Sequence, residues 1–202
     1  MNPRIAAMAK QVEFFFDFVS PAAYLAWTQL PELERRTGAK VVRRPFFLGG
    51  VFQSSGNRPP LTVPAKGKWI MGDFLLFARR YKVPMVFSPH FPVNSLPAMR
   101  AAAGLMSRPE FTAFCDAMFS AVWAEGKNIG DASVRAELAQ KVGLAGEEIE
   151  ALANAPENKE RLRASSDEAV TRGAFGAPTF FVGEEMFFGQ DRIDFVEEAL
   201  MA

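Results

Sequence analysis

From Val12 to Phe18 the chain reads Val-Glu-Phe-Phe-Phe-Asp-Phe, apolar at all but two positions. So continuous an apolar run predicts a strand buried on both faces of a sheet. Ser20-Pro21 then opens a helix that should run to about Thr37, kinked at Pro31 and ended by Gly38. Val41–Phe47 follows as a second strand, and its Pro45 predicts an edge or a bulge. Leu48–Pro60 is rich in turn formers and reads as a long loop, either a plain connector or a functional segment.

Beyond Pro64 the period changes. Apolar residues recur at helical spacing over Lys66–Tyr81, Ser95–Met106, Pro109–Glu125, Ala132–Val142, Gly146–Ala153 and Pro156–Arg172, with Gly104, Gly126, Gly130, Gly143 and several prolines as punctuation. The end returns to strands. Thr179–Val182, a tight turn at Gly183-Glu184, and Met186–Phe188 form a hairpin, and Gln190-Asp191 caps a final amphipathic helix with Ile193, Val196 and Leu200 on one face.

The order is βαβ, a helical block, then ββα. That predicts an α/β fold with a thioredoxin-like mixed sheet and a large all-helical insertion. Residues 12–63 plus 174–202 would form the thioredoxin-like domain and 64–173 the helical one.

Composition narrows the function. The 202 residues carry 23 basic and 23 acidic side chains, so nothing in the charge favours nucleic acid or an anionic membrane. No apolar run approaches the ~20 residues of a membrane span. Met1–Gln11 lacks an apolar stretch of signal-peptide length, so the expected location is the cytoplasm. The one cysteine, Cys115, excludes an internal disulfide, a thiolate zinc cluster and a Cys-x-x-Cys pair. It lies on the apolar face of a helix and reads as a buried thiol. The one histidine, His90, sits in a proline-bound loop without a Gly-x-Ser-x-Gly elbow, which disfavours a hydrolase triad and leaves no metal site.

Candidate chemistry gathers where the first strand meets its helix. A strand running into a helix N-terminus aims free N–H groups and a positive dipole end at one spot. Ser20 adds a hydroxyl there, and the spot suits an anion such as a thiolate or carboxylate. The same residue reads equally as a plain helix cap.

Several segments together carry a family likeness. Phe16-Asp17-Phe18-Val19-Ser20-Pro21, Gly56-Asn57-Arg58-Pro59-Pro60, Val63-Pro64-Ala65-Lys66-Gly67, Phe175-Gly176-Ala177-Pro178-Thr179 and Phe188-Gly189-Gln190-Asp191-Arg192 resemble the 2-hydroxychromene-2-carboxylate isomerases and the related kappa-class glutathione transferases. The resemblance runs in order from Val12 to the C-terminus.

It implies glutathione as cofactor, with Ser20 facing its sulfur as the catalytic group. Ser20 stands where redox relatives place the first cysteine of Cys-x-x-Cys, and Ala23 where they place the second. Ala177 would pair its backbone with the cysteinyl group of glutathione. Lys66, Phe188, Gly189, Gln190 and Asp191 would complete the glutathione site, with Asp191 taking the γ-glutamyl ammonium. Asn57, Arg58 and Phe91 would border a small aromatic substrate, and a homodimer is expected. Asp191 and Lys66 also have simpler readings, as a helix cap and as a solvated first-turn lysine. Ala177-Pro178 is expected to be cis. One position departs from the pattern: Gln53 stands where many relatives carry lysine, which puts an anionic chromene substrate in question.

The implied chemistry is thiol activation. A thiol of pKa near ~8.5 is only a few per cent thiolate at pH 7. Lowering the pKa by about two units needs ~2.7 kcal/mol. A hydroxyl bond to a charged acceptor supplies ~1.5–3 kcal/mol, and the helix dipole ~0.3–1. The expected activity is a glutathione-dependent isomerisation in which sulfur adds to a conjugated carbon and leaves. The alternatives are a kappa-like transferase or peroxidase acting on other electrophiles, and a non-catalytic thioredoxin-fold binding protein. A disulfide oxidoreductase is disfavoured because the thiols are absent.

Overall fold

The structure is a computed structural model and describes residues 10–202. Most of the segment Met1–Gln11, where no signal-peptide stretch is expected, lies outside the described residues. Strands β1 (Gln11–Phe16), β2 (Lys40–Pro45), β3 (Thr179–Val182) and β4 (Glu185–Phe188) form one mixed sheet in the order β2-β1-β3-β4. β1 runs parallel to β2, with Val12 opposite Val41, and antiparallel to β3, with Phe14 opposite Phe180. β3 and β4 close the expected hairpin. β2 is an edge strand, which suits Pro45 because a proline has no N–H to give an outer neighbour.

The interior strand is where the aromatic residues concentrate. Phe14 and Phe16 share one face, stacked at 5.6 Å, and Phe16 meets Trp27 at 5.2 Å and Phe119 at 5.7 Å. Phe15 turns to the other face against Phe46 and Phe181. Burying each such ring stabilises by roughly 1.5–3 kcal/mol.

The first helical segment is two helices, α1 (Pro21–Trp27) and α2 (Leu30–Thr37), rather than one kinked helix. Pro31 has no N–H to reach back to the Trp27 carbonyl, and the ladder stops there. Gly38 ends α2 at φ 67°. The stretch expected to be a loop contains α3 (Leu48–Ser55), and a 3₁₀ turn (Pro60–Thr62) begins at its last residue. Gly49 and Gly50 are poor helix formers. The helix holds because the Asp17 carboxylate accepts the Leu48 N–H at 2.9 Å, Val51 is fully buried, and Gly56 closes the end at φ 72°.

Helices α4 (Pro64–Tyr81), α5 (Leu96–Leu105), α6 (Phe111–Trp123), α7 (Ala132–Lys141), α8 (Gly146–Asn154) and α9 (Pro156–Thr171) fall within two residues of the periodicity reading at every end. Gly104 is not punctuation. It lies inside α5, where a Cβ would stand 2.4 Å from the Asn158 side-chain nitrogen, so it permits the close approach of α9. α10 (Ile193–Met201) buries Ile193, Val196 and Leu200 as expected, but a 3₁₀ turn (Gln190–Arg192) precedes it and no side chain caps it.

The helical segment grips the end of β1. Phe18 gives its N–H to the Met99 sulfur at 3.4 Å, and its carbonyl accepts the Trp123 indole N–H at 2.8 Å. Trp27 donates to Asp116 at 2.6 Å and Tyr24 to the Pro84 carbonyl at 2.7 Å. Cys115 is fully buried, and burial pushes its thiol well above the ordinary range. Among the described residues no helix is long and apolar enough to cross a membrane, and no cluster of three metal-ligating side chains forms.

Candidate functional site

Ser20 is the N-cap of α1, with extended backbone (φ −88°, ψ 116°) and Pro21 at the first helical position. Its Oγ accepts the Ala23 N–H at 3.1 Å and donates to the Ala177 carbonyl at 3.0 Å. The cap is therefore also a cross-link between the β1–α1 turn and the loop before β3. Capping and site-forming are compatible here, because the hydroxyl accepts for one and donates for the other.

That loop is fastened at nearly every residue. The Asn57 side-chain N–H donates to the Phe175 carbonyl at 2.8 Å. The Thr179 hydroxyl donates to the Gly176 carbonyl at 2.8 Å, and the Gly189 N–H to the Pro178 carbonyl at 3.1 Å. Phe188 packs on Phe175 with ring centroids 4.5 Å apart, and it fits because Gly176 has no Cβ, which would stand 2.7 Å from the Phe188 ring. Ala177-Pro178 is cis; Phe91-Pro92 is also cis, which nothing in the sequence had indicated. Ala177 is 8% exposed, and among the described residues its N–H has no acceptor.

Asp17 organises the turn from below. Its carboxylate, fully buried, accepts the Val19 N–H at 3.1 Å and the Leu48 N–H at 2.9 Å. Burial raises its pKa, while the Ser95 hydroxyl at the start of α5 and the two backbone donors pull the other way. One carboxyl thus joins the Ser20 turn, α3 and α5.

The C-terminal motif lies beyond Gly189. Gln190 is 6% exposed, yet among the described residues its side-chain amide has no hydrogen-bond partner; its backbone carbonyl accepts the Tyr81 hydroxyl at 3.2 Å. Asp191 does not cap α10. It is exposed and pairs with Arg192 at 3.0 Å. Asp73 of α4, a residue the sequence reading missed, lies close enough for the Asp191 charge to add to partial burial in raising its pKa. Burial, then the charges of Asp194 and Asp191, push Tyr81 up to about 12. The available signal for Asp73 was an acid in the otherwise apolar run Ile70–Phe77.

Ser20, Asn57, Ala177, Phe188 and Gly189 are thus brought around one loop, with Gln190 and Asp191 next along the chain. The other candidates stand apart. Lys66 is exposed in the first turn of α4, and Arg58 is exposed after Asn57; neither side chain has a polar partner among the described residues. Phe91 packs on Trp123 at 5.6 Å, one residue removed from the β1 turn that Trp123 holds. Sequence reasoning also missed Met99 and Trp123, whose bonds to Phe18 join positions far apart in the chain.

A sheet of this order, with a helix cap bonded to the residue before a cis proline, defines a thioredoxin-type site without its cysteines. The chain belongs to the DSBA-like thioredoxin domain family, whose model matches residues 11–201, and within it is homologous to the 2-hydroxychromene-2-carboxylate isomerases and kappa-class glutathione transferases. It is 33% identical to the 2-hydroxychromene-2-carboxylate isomerase of Sphingobium xenophagum, over 96% of this chain and all of that one. Identity to glutathione S-transferase kappa 1 of Rattus norvegicus is 29%, over 91% and 87%. A solved structure of 2-hydroxychromene-2-carboxylate isomerase superposes with a TM-score of 0.85 over 94% of each chain, at 29% identity.

Proposed function

We propose that this protein is a glutathione-dependent isomerase of small aromatic substrates of the 2-hydroxychromene-2-carboxylate type. The observation that carries the reading is the Ser20 hydroxyl bond to the Ala177 carbonyl at 3.0 Å. It puts a mobile proton donor beside a backbone segment whose N–H is unused.

The residues present suit glutathione. Ala177 offers a free N–H and a carbonyl to the cysteinyl backbone, as a sheet edge would. Gln190 offers a side-chain amide that has no partner among the described residues and still reaches solvent, and Asp191 with Asp73 offers negative charge to an ammonium. Bound glutathione would supply a nucleophilic sulfur that adds reversibly to a conjugated carbon. Ser20 would turn its proton from Ala177 toward that sulfur and hold it as thiolate, while the Ala23 N–H keeps the oxygen in place. Lys66 would contribute positive charge to a glutathione carboxylate. Asn57, Arg58 and Phe91 would border the second substrate. Because the sulfur leaves again, no glutathione is consumed. The family likeness also favours a homodimer in the cytoplasm, and light scattering on the purified chain tests the assembly.

Gln53 favours a second reading. It is an exposed, neutral residue on α3 where a cation would serve an anionic substrate, and a transferase acting on neutral electrophiles needs none. Incubating the protein with glutathione and 2-hydroxychromene-2-carboxylate separates the two. Isomer formation at constant glutathione supports the isomerase. Loss of glutathione into a conjugate with other electrophiles, and no isomerisation, replaces it with the transferase.

A further inference from the structure

A second concavity lies away from the Ser20 loop, between α3, α5 and α9, with a volume of about 500 Å³. That is within the range of small-molecule sites, roughly 300–1,000 Å³. Its walls are apolar where Phe47, Leu96, Leu162 and Val170 meet. Its charges are unevenly matched. Arg163 takes both nearby carboxylates, Glu160 at 2.5 Å and Asp167 at 2.7 Å, on the outer side of α9 where all three are more than half exposed. Arg100 and Lys159, which also line the cleft, have no carboxylate partner among the described residues.

Arg100 is the more informative of the two. It is half-buried on α5, beside Met99, and its guanidinium has no acceptor among the described residues. Its nitrogens reach solvent in the cleft, so the guanidinium is open to an arriving anion without an internal carboxylate to displace. Guanidinium geometry suits a carboxylate or sulfonate, and the apolar wall suits a flat hydrocarbon body.

We propose that this cleft is a binding site for a small organic anion, of the aromatic carboxylate or sulfonate class, held by Arg100 and Lys159. It is separate from the glutathione reading and does not depend on it. α3 is the wall between the two regions: Gly50 and Ser54 face the cleft, while Asn57, just past the helix, holds the Phe175 carbonyl.

The test uses 2-naphthoate as probe, naphthalene-2-carboxamide as its neutral isostere, and the full chain, with and without S-methylglutathione. Calorimetry should find naphthoate bound more tightly than the carboxamide. The variant Arg100→Gln/Lys159→Gln should weaken naphthoate by about tenfold or more while leaving the carboxamide unchanged. Backbone amide shifts should map to α3 and α9. Equal affinity for the two probes, unchanged naphthoate affinity in the double variant, or shifts confined to residues 20–24 and 175–178 would each overturn the proposal. Lys159→Gln alone, at an exposed position, supplies a partial effect should the double variant not fold.

Discussion

Asp17 and Leu48 are joined by a hydrogen bond of 2.9 Å across 31 residues of chain, from the turn that precedes Ser20 to the start of α3. The bond satisfies a helix-terminal N–H with a buried carboxylate, and it fixes the turn and the helix against each other. Burial is the largest influence on Asp17 and raises its pKa, so the folded state holds the proton more firmly than the unfolded chain. Whatever stability follows from that is fully present below the ordinary carboxyl range and is lost as pH rises through the raised value. Asp17→Asn cannot titrate. Urea unfolding at stepped pH should therefore show wild-type stability falling relative to Asp17→Asn as pH rises above about 4. Parallel pH profiles would contradict a raised pKa.

Ser20→Ala removes a helix cap and a cross-strand-loop bond together. Loss of the cap costs about 1 kcal/mol of stability, and chemical denaturation should show it. Activity at neutral pH should fall by about 10²-fold, equivalent to ~2.7 kcal/mol in the barrier, with glutathione still bound within severalfold. The ultraviolet titration of the bound thiol should move to higher pH. A lower stability with rate and titration unchanged would leave Ser20 as a cap alone.

Asp191→Asn and Asp73→Asn should each weaken glutathione binding if both carboxylates face the γ-glutamyl ammonium. An effect of ~1.5–3 kcal/mol is expected for a charge-assisted bond, read by calorimetry. A glutathione analogue lacking the amine should bind wild type and variants alike. Removing the Asp191 charge should also let the Asp73 pKa fall, since Asp191 is one of the two influences that raise it. Wild-type affinity in both variants would detach this acidic pair from the ligand.

Gly176→Ala places a methyl 2.7 Å from Cε2 of the Phe188 ring and 3.1 Å from the adjoining Cζ. Overpacking of this kind costs about 1–3 kcal/mol, and the loop carrying Ala177 should shift. Reduced stability and reduced glutathione affinity are both expected. Adding Phe188→Ala removes the collision, so the double variant should recover part of the affinity. No recovery would mean that the methyl acts somewhere other than on Phe188.

Local pattern alone determined much of this protein. The apolar run at β1, the Pro45 edge, the hairpin at Gly183 and six helices of the central block follow from side-chain periodicity and from glycine and proline geometry, which act within a few residues of chain. Ser20 as the cap of α1 is equally local. The likeness across five short segments extended this to the family, but it named site residues without arranging them.

What tertiary structure decided rests on partners distant in sequence. α3 forms against the helix propensity of Gly49 and Gly50 because Asp17 caps it from the turn after β1. Gly104 looked like a break and is a contact, because Asn158 fills the space its missing Cβ leaves. Asp191 looked like a cap and is not, because the chain takes a 3₁₀ turn before α10 and leaves the carboxylate near Asp73. Phe18 depends on Met99 and Trp123, and Ala177 on Ser20 across 157 residues. Hydrogen bonding and close packing of that range depend on where the chain returns to itself, and periodicity carries no record of it.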